Sequence, residues 1–345
     1  MDSNTVKWCI FMNKKIILFL GVLAVCCGCA KKTTTGLNDS AKEYFDAWMH
    51  VHYPELQSTP LGAYVLSDEE GDGVALGDGQ EYPYVRVNYT VYDLSGNVAS
   101  TSREDVAQKV GTYNETYYYG PAVWKRSSVY AGLEESLSQM NVGSIRKVII
   151  PGWLTSDARY STQQEYLDNV SGSNAIYEFE VVEAIKDISK WQIDSIGRYV
   201  DSSVEGLTAK DSIKLGFYYL SREVPKDSKE FDSDTTIYIN YTGRLLDGRV
   251  FDTTIKDTAI MYGLYSSKTT YSPKEVKYYK DEYTSITLAG NTVIDGFAYT
   301  IHEMKPYEKA SGIFISDYGY SSSGTGKAIP PYAALRFDIE IVDKP

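Results

Sequence analysis

Residues 241–254 read Tyr241-Thr242-Gly243-Arg244-Leu245-Leu246-Asp247-Gly248-Arg249-Val250-Phe251-Asp252-Thr253-Thr254. The residues leading in, Ile237-Tyr238-Ile239-Asn240-Tyr241, alternate at period two, the signature of a half-buried strand. Asp247-Gly248 is a turn signal, because glycine reaches backbone conformations that a reversal demands. An aromatic, Phe251, and a carboxylate, Asp252, follow the turn directly.

The pattern has an earlier, diverged copy. Gly62-Ala63-Tyr64-Val65-Leu66-Ser67 recurs as Gly216-Phe217-Tyr218-Tyr219-Leu220-Ser221, and Val87-Asn88-Tyr89-Thr90 recurs as Ile239-Asn240-Tyr241-Thr242. In both copies a glycine turn follows, at Gly96 and Gly248. Gly132–Met140 parallels Gly296–Met304, and each copy closes on an alternating strand, Tyr177–Val182 and Arg336–Ile341. Five matches in one order divide the chain into homologous domains at 58–187 and 208–345, joined by a linker at 188–207. The linker has Ile193, Ile196, Val200 and Val204 at helical spacing, although Gly197 opposes a helix. A helix is also expected over about 41–52, capped by Asn38, Asp39 or Ser40, with Tyr44, Phe45 and Trp48 on its apolar face. Gly296–Met304 suits one short helix with Phe297, Ile301 and Met304 facing a sheet. Sheets laid over single helices make the fold class α+β.

The second copy resembles the FKBP-type peptidyl-prolyl cis-trans isomerases. Residues 241–254 resemble that family's "YTG-x-L-x-DG-x-x-FD-(S/T)-(S/T)" signature, and Val293-Ile294-Asp295-Gly296-Phe297 its "VI-x-GW" segment, with Met304 in the place of the methionine that follows. Asp317-Tyr318-Gly319-Tyr320 resembles "D-Y-A-Y-G", and Ile329–Ile341 resembles the terminal "IPP-x-A-x-L-x-F-x-V-E-L". The resemblance implies two tandem FKBP-like domains, each an antiparallel half-barrel sheet wrapped around a short helix, the first one degenerate. It also implies the site. Phe297 forms a floor under the proline ring, Tyr241, Phe251, Ile294, Ile329 and Phe337 form walls, and Asp252 points its carboxylate at the twisting amide. The Tyr320 hydroxyl and the Ile294 backbone N–H hold neighbouring carbonyls. Ordinary core packing is the alternative role for Tyr241, Phe251 and Phe337.

This chemistry needs no cofactor, metal or nucleophile. Rotation about an X–Pro bond is slow because resonance gives C–N partial double-bond character, with a barrier of roughly 18–20 kcal/mol. The twisted transition state has lost that resonance, so an apolar pocket favours it over the planar ground state.

The second copy departs from the family pattern in places. Phe297 stands where the family most often has Trp, Ser321 replaces a Gly after Tyr320, and Thr325 replaces a commoner aromatic or His. A tyrosine- and lysine-rich stretch at about 255–282 replaces a short bulge. It is either a lid or substrate-holding surface, or a solvated loop. In the first copy Ala99 and Ser100 stand where the second has Phe251 and Asp252, and 155–174 is a polar stretch without the aromatic wall. Isomerase activity is therefore expected only in the second domain.

Composition sets the outer limits. The chain has 345 residues, 43% of them hydrophobic and 23% charged, which suits two globular cores rather than disorder or many membrane spans. A formal charge of -12 argues against nucleic acid as a partner. The two nearby histidines, His50 and His52, lie two apart and would face different directions on a helix, so no metal site is expected. All four cysteines, Cys9, Cys26, Cys27 and Cys29, precede residue 30, which leaves no disulfide framework in the body of the chain. Lys14 and Lys15 precede an apolar run at 16–29 that is too short to span a membrane. The run ends at Gly28-Cys29, which resembles a bacterial lipoprotein cleavage site. Residues 1–28 are then a lipoprotein signal peptide, Cys29 the lipid acceptor with Cys27 the alternative, and 29–57 a tether and helix. Met12 is an alternative start.

The sequence thus points to a lipid-anchored isomerase and folding helper of the bacterial cell envelope, acting on proline-containing unfolded or extended polypeptides. The alternative is a non-catalytic peptide- or protein-binding lipoprotein that uses its FKBP-like domains as a chaperone or scaffold. A surface glycan-binding lipoprotein is a third reading, suggested by the 31 tyrosines.

Overall fold

The computed structural model describes residues 38–203, 209–211, 215–226 and 228–345. The signal-like run, Cys29 and Val204 lie outside the described residues. The class is α+β, with two antiparallel sheets that share one strand order.

The N-terminal sheet is built from β1 (Tyr64–Glu69), β2 (Tyr84–Tyr92), β3 (Val98–Thr101), β4 (Ala122–Lys125), β5 (Ile145–Ile150) and β6 (Ala175–Ile185). Its order is β1-β5-β6-β2-β3, with β4 also on β2. The C-terminal sheet is built from β7 (Ala209–Asp211), β8 (Phe217–Glu223), β9 (Thr235–Leu245), β10 (Val250–Thr253), β11 (Lys274–Tyr278), β12 (Thr287–Leu288), β13 (Asn291–Thr292), β14 (Lys309–Phe314) and β15 (Leu335–Val342). Its order is β13-β12-β11-β9-β15-β14-β8-β7, with β10 also on β9. The four-strand stretch β1-β5-β6-β2 of one path matches β8-β14-β15-β9 of the other. Strand β15 gives the cleanest alternation, burying Leu335, Phe337, Ile339 and Ile341 while the residues between them stay half-buried.

Among the described residues seven α-helices accompany the sheets: α1 (Asp39–His52), α2 (Glu104–Lys109), α3 (Ala131–Leu137), α4 (Gln163–Asn169), α5 (Ile188–Ser203), α6 (Lys256–Met261) and α7 (Asp295–Glu303). In α1 the buried pair is Phe45 and Met49, with Trp48 packed at the margin, whereas Tyr44 is 72% exposed. The expected Tyr44–Phe45–Trp48 face is thus rotated by one position, because Met49 completes an i, i+4 pair with Phe45. Asn38 occupies the N-cap but makes no capping bond; its amide instead donates to the carbonyls of Leu167 (2.9 Å) and Val170 at the end of α4.

The polar stretch 155–174 holds an element that its composition conceals. Thr162 and Glu165 form a reciprocal capping box that starts α4, and the helix then buries Tyr166 and Leu167. Helix α5 tolerates Gly197 because that position faces open space. Its penalty is about 1 kcal/mol of propensity, outweighed by Ile196 and Val200 packing on Leu220, Ile313 and Ile315 of the other sheet. Helix α7 is buried over six consecutive residues, Gly296–Ile301, rather than on the single face expected. It lies inside the sheet's curve, and a Cβ at Gly296 would sit 2.4 Å from the Phe314 ring, so only glycine allows this approach.

The stretch at about 255–282 is not a loop. It folds as α6, a tyrosine-closed bend and β11. The same elements stand 152 residues earlier as α2 and β4. In both bends two tyrosines stack, Tyr113 on Tyr119 (5.5 Å) and Tyr265 on Tyr271 (5.7 Å). In both, a backbone N–H donates to the second hydroxyl, Asn114 to Tyr119 (3.1 Å) and Ser266 to Tyr271 (3.0 Å). The segment peculiar to the C-terminal sheet comes later, between β11 and α7, and contains the β12–β13 hairpin.

Candidate functional site

The C-terminal sheet and α7 enclose a cavity of about 460 Å³. All eight residues singled out in the sequence border it: Tyr241 from β9, Phe251 and Asp252 from β10, Ile294 and Phe297 at the start of α7, Tyr320 and Ile329 from the connection after β14, and Phe337 from β15.

Adjacent strand residues normally point to opposite faces, yet Phe251 and Asp252 both reach the cavity. The register of β10 on β9 shifts between Val250 and Asp252. The resulting bulge leaves Phe251 without an opposite number and turns both side chains to one side. The side-chain hydroxyls of Thr242 and Thr253 meet at 3.0 Å, and the Tyr241 N–H donates to Thr254 Oγ1 at 2.9 Å, which pins the bulged strand. A Cβ on Gly243 would come within 2.5 Å of the Phe251 ring and 2.9 Å of the Phe337 ring, so glycine here makes room for the wall. In the N-terminal sheet the matching shift leaves Ala99 as the bulged residue, with Ser100 next to it.

The rings meet edge to face. Phe297 is perpendicular to Tyr241 at 5.4 Å and to Phe337 at 5.1 Å, and Phe251 meets Phe337 at 5.6 Å. Such pairs hold a fixed shape beyond simple burial. Phe297, Phe337 and Ile329 are buried, Tyr241, Phe251, Ile294 and Tyr320 are half-buried, and Asp252 is exposed at the rim. The Tyr241 hydroxyl donates to Asp252 Oδ2 at 2.7 Å. Burial, then the Asp252 carboxylate, pushes the Tyr241 phenol well above its usual range. The same two causes raise Tyr320. Both hydroxyls therefore remain protonated donors at neutral pH.

Five lining residues lay outside the eight: Leu288, Thr292, Val293, Thr325 and Ala328. Leu288 and Thr292 belong to the β12–β13 hairpin, whose turn residues Ala289 and Gly290 both have positive φ. Its signal in sequence was the Ala289-Gly290-Asn291 turn. The cavity thus combines a rigid aromatic floor and walls with one carboxylate and two protonated phenols. Among the described residues no cluster of His, Cys, Asp or Glu could hold a metal ion.

Residues 227–342 match the family model of the FKBP-type peptidyl-prolyl cis-trans isomerases. The chain is 27% identical over 146 residues to FK506-binding protein 59 of Drosophila melanogaster, covering 42% of this chain and 26% of that protein. It is 28% identical over 136 residues to the probable FKBP-type peptidyl-prolyl cis-trans isomerase FkpA of Neisseria meningitidis serogroup B, covering 39% and 41%. This chain therefore spans less than half of either relative. Among solved structures it is similar to FkpA from Escherichia coli, at 23% identity and a TM-score of 0.28, over 45% of this chain and 62% of that one.

Proposed function

We propose, from the match of residues 227–342 to the family model of the FKBP-type peptidyl-prolyl cis-trans isomerases, that the protein catalyses cis-trans isomerisation of X–Pro bonds in the cavity over Phe297. The observation that carries the reading is the joining of an aromatic cavity to the Tyr241–Asp252 pair at its rim. A proline ring enters over Phe297, between Tyr241, Phe251 and Phe337. The edge-to-face rings hold the ring still while the preceding amide rotates. Orientation of this kind lowers a barrier without covalent chemistry. The cavity excludes water from an amide whose charge separation falls as it twists, which favours the twisted state. Asp252 interacts with the rotating amide, and the Tyr320 hydroxyl and the Ile294 N–H donate to flanking carbonyls. No cofactor enters this scheme.

The substrate class is proline-containing unfolded or extended polypeptide, since the amide must be reachable on both sides. Catalysis resides in the 208–345 unit, because Ala99 and Ser100 replace Phe251 and Asp252 in the 58–187 unit. The proposed location is the bacterial cell envelope, with the chain held to a membrane by lipid on Cys29. Support for it is the lysine–apolar–Gly-Cys order at 14–29.

The test is a protease-coupled assay on a proline tetrapeptide with the full chain. Catalysis above the background rate is expected. A rate equal to the uncatalysed one, with retained binding of unfolded protein, would replace the isomerase by a binding module.

A further inference from the structure

We infer that the N-terminal unit and the linker helix α5 position the pocket of the C-terminal unit, with Gln192 and Tyr118 as the positioning residues; the inference rests on the reading of the cavity over Phe297 as the isomerase pocket. The connection between β14 and β15 runs from residue 315 to 334 and supplies four cavity residues, Tyr320, Thr325, Ala328 and Ile329. Its own regular structure is one short turn, Ser316–Tyr318, and a single bridge between Thr325 and Ile329. A connection of this length needs outside support to keep one shape.

That support comes from α5 and from the N-terminal unit, at three points. Gln192 on α5 is 1% exposed and grips Ser316 twice: its Oε1 accepts the Ser316 N–H at 2.6 Å, and its Nε2 donates to Ser316 Oγ at 3.1 Å. The Tyr118 N–H donates to the Lys327 carbonyl at 2.7 Å, and the Lys327 ammonium lies 5.0 Å over the Tyr117 ring. The Tyr84 ring meets Tyr332 edge-on at 5.4 Å. Tyr118 also packs against the hydrophobic core of the C-terminal sheet. From the far side of the pocket, Arg249 donates to the Tyr117 carbonyl at 2.6 Å, two residues before Phe251.

Two further observations agree. Ser321 and Tyr332 both hold left-handed backbone, at φ 51° and 60°, and the Tyr332 N–H donates to the Ser321 carbonyl at 2.9 Å. Non-glycine residues keep such conformations only where their surroundings impose them. Ala99 and Ser100, at the places of Phe251 and Asp252, line a cavity of about 250 Å³ whose other wall includes Lys327, Pro330 and Pro331. The small residues leave the space in which that loop docks. Loss of the aromatic and the acid in the first copy thus has a structural use.

If docking selects the competent shape of the wall, releasing it lowers the competent fraction and raises the apparent KM, while kcat, read once substrate is bound, holds. The experiment uses the full chain with Gln192→Ala, Tyr118→Ala and the pair combined. Ala99→Phe is an independent variant at an exposed position, filling the docking cavity without touching a core. Readouts are KM and kcat on a proline tetrapeptide and hydrogen exchange of residues 320–334. The combined variant and Ala99→Phe should raise KM about fivefold or more, leave kcat within about twofold, and speed exchange of 320–334 while α7 stays protected. Tyr118→Phe, which keeps the ring and the backbone donor, should behave as wild type. Unchanged KM and unchanged exchange in both Ala99→Phe and the combined variant would overturn the inference. A wild-type chain without isomerase activity would instead overturn the functional reading, and the exchange data alone would then decide the positioning role.

Discussion

The Tyr241 hydroxyl donates to Asp252 Oδ2 at 2.7 Å across the bulge that brings β10 to the cavity. The bond fixes a carboxylate at the rim of an otherwise aromatic cavity, and Asp252 itself is exposed. Asp252→Ala should therefore lower kcat/KM about tenfold, the scale of one hydrogen bond to a charged group. The melting temperature should hardly move, since exposed substitutions have little effect on stability. Tyr241→Phe should lose less, because the ring stays. Calorimetry beside peptide kinetics checks both. A large drop in melting temperature for Asp252→Ala would make the pair structural.

Phe251→Ala should damage folding and turnover together. The ring is half-buried and packs edge-on against Phe337, so the expected loss is about 2–3 kcal/mol, below the 3–5 of a fully buried ring. Gly243→Ala tests the same wall without removing it. Its added Cβ would press on Phe251 and Phe337, and the expected result is lower kcat/KM with a smaller stability loss than Phe251→Ala. Urea unfolding and peptide kinetics on the two variants give the ordering; equal kcat/KM for Gly243→Ala and wild type would contradict it.

The lining of the candidate site was legible because its residues sit on short, ordered motifs: Tyr241 to Asp252 on one hairpin, Ile294 and Phe297 on one helix start. Period-two strands such as 335–342 were legible for the same reason, since one face is buried along the whole strand. Helix α4 was missed although Thr162-x-x-Glu165 announces it, because the surrounding serines and acids read as solvated loop. The kinship of 255–278 with 103–126 was hidden by substitution. Seven residues persist on common positions, at Asp105, Ala107, Gly111, Tyr113, Tyr119, Pro121 and Lys125. The support given by Gln192 and Tyr118 could not be read at all. It joins residues over a hundred positions apart, the Gln192 amide to the Ser316 N–H and hydroxyl and the Tyr118 N–H to the Lys327 carbonyl, and no local pattern in the sequence pairs them.

Asp338 governs the acid limit of the C-terminal sheet. Burial alone would raise its carboxyl, but Arg336, Ser311 and Arg244 together hold it below its ordinary value of 3.8. A depressed folded-state value contributes stability that is present above about pH 3.8 and is lost as pH falls through the folded value. Asp338→Asn should thus cost about 2 kcal/mol at pH 7, because it strips charge from the half-buried Arg336 and Arg244. The gap to wild type should narrow below pH 3.8. Urea unfolding of both proteins at pH 7 and pH 3 measures it. A constant gap would mean that another group sets the acid limit.

Cys29 is proposed as the lipid acceptor. Metabolic labelling with a fatty-acid analogue should mark the wild-type protein, and Cys29→Ala should be unlabelled and unprocessed. Label retained by Cys29→Ala would move the acceptor to Cys27 or remove lipidation at residue 29.

The central claim is that the cavity over Phe297 turns X–Pro bonds. Exchange NMR on an Ala–Pro tetrapeptide, with the full chain at substoichiometric concentration, reads that turnover without a coupling protease. The account predicts cis–trans exchange cross-peaks with the wild-type protein, and their marked loss with Asp252→Ala at unchanged fold. Cross-peaks absent with the folded wild-type chain, or equal in the two proteins, would contradict it.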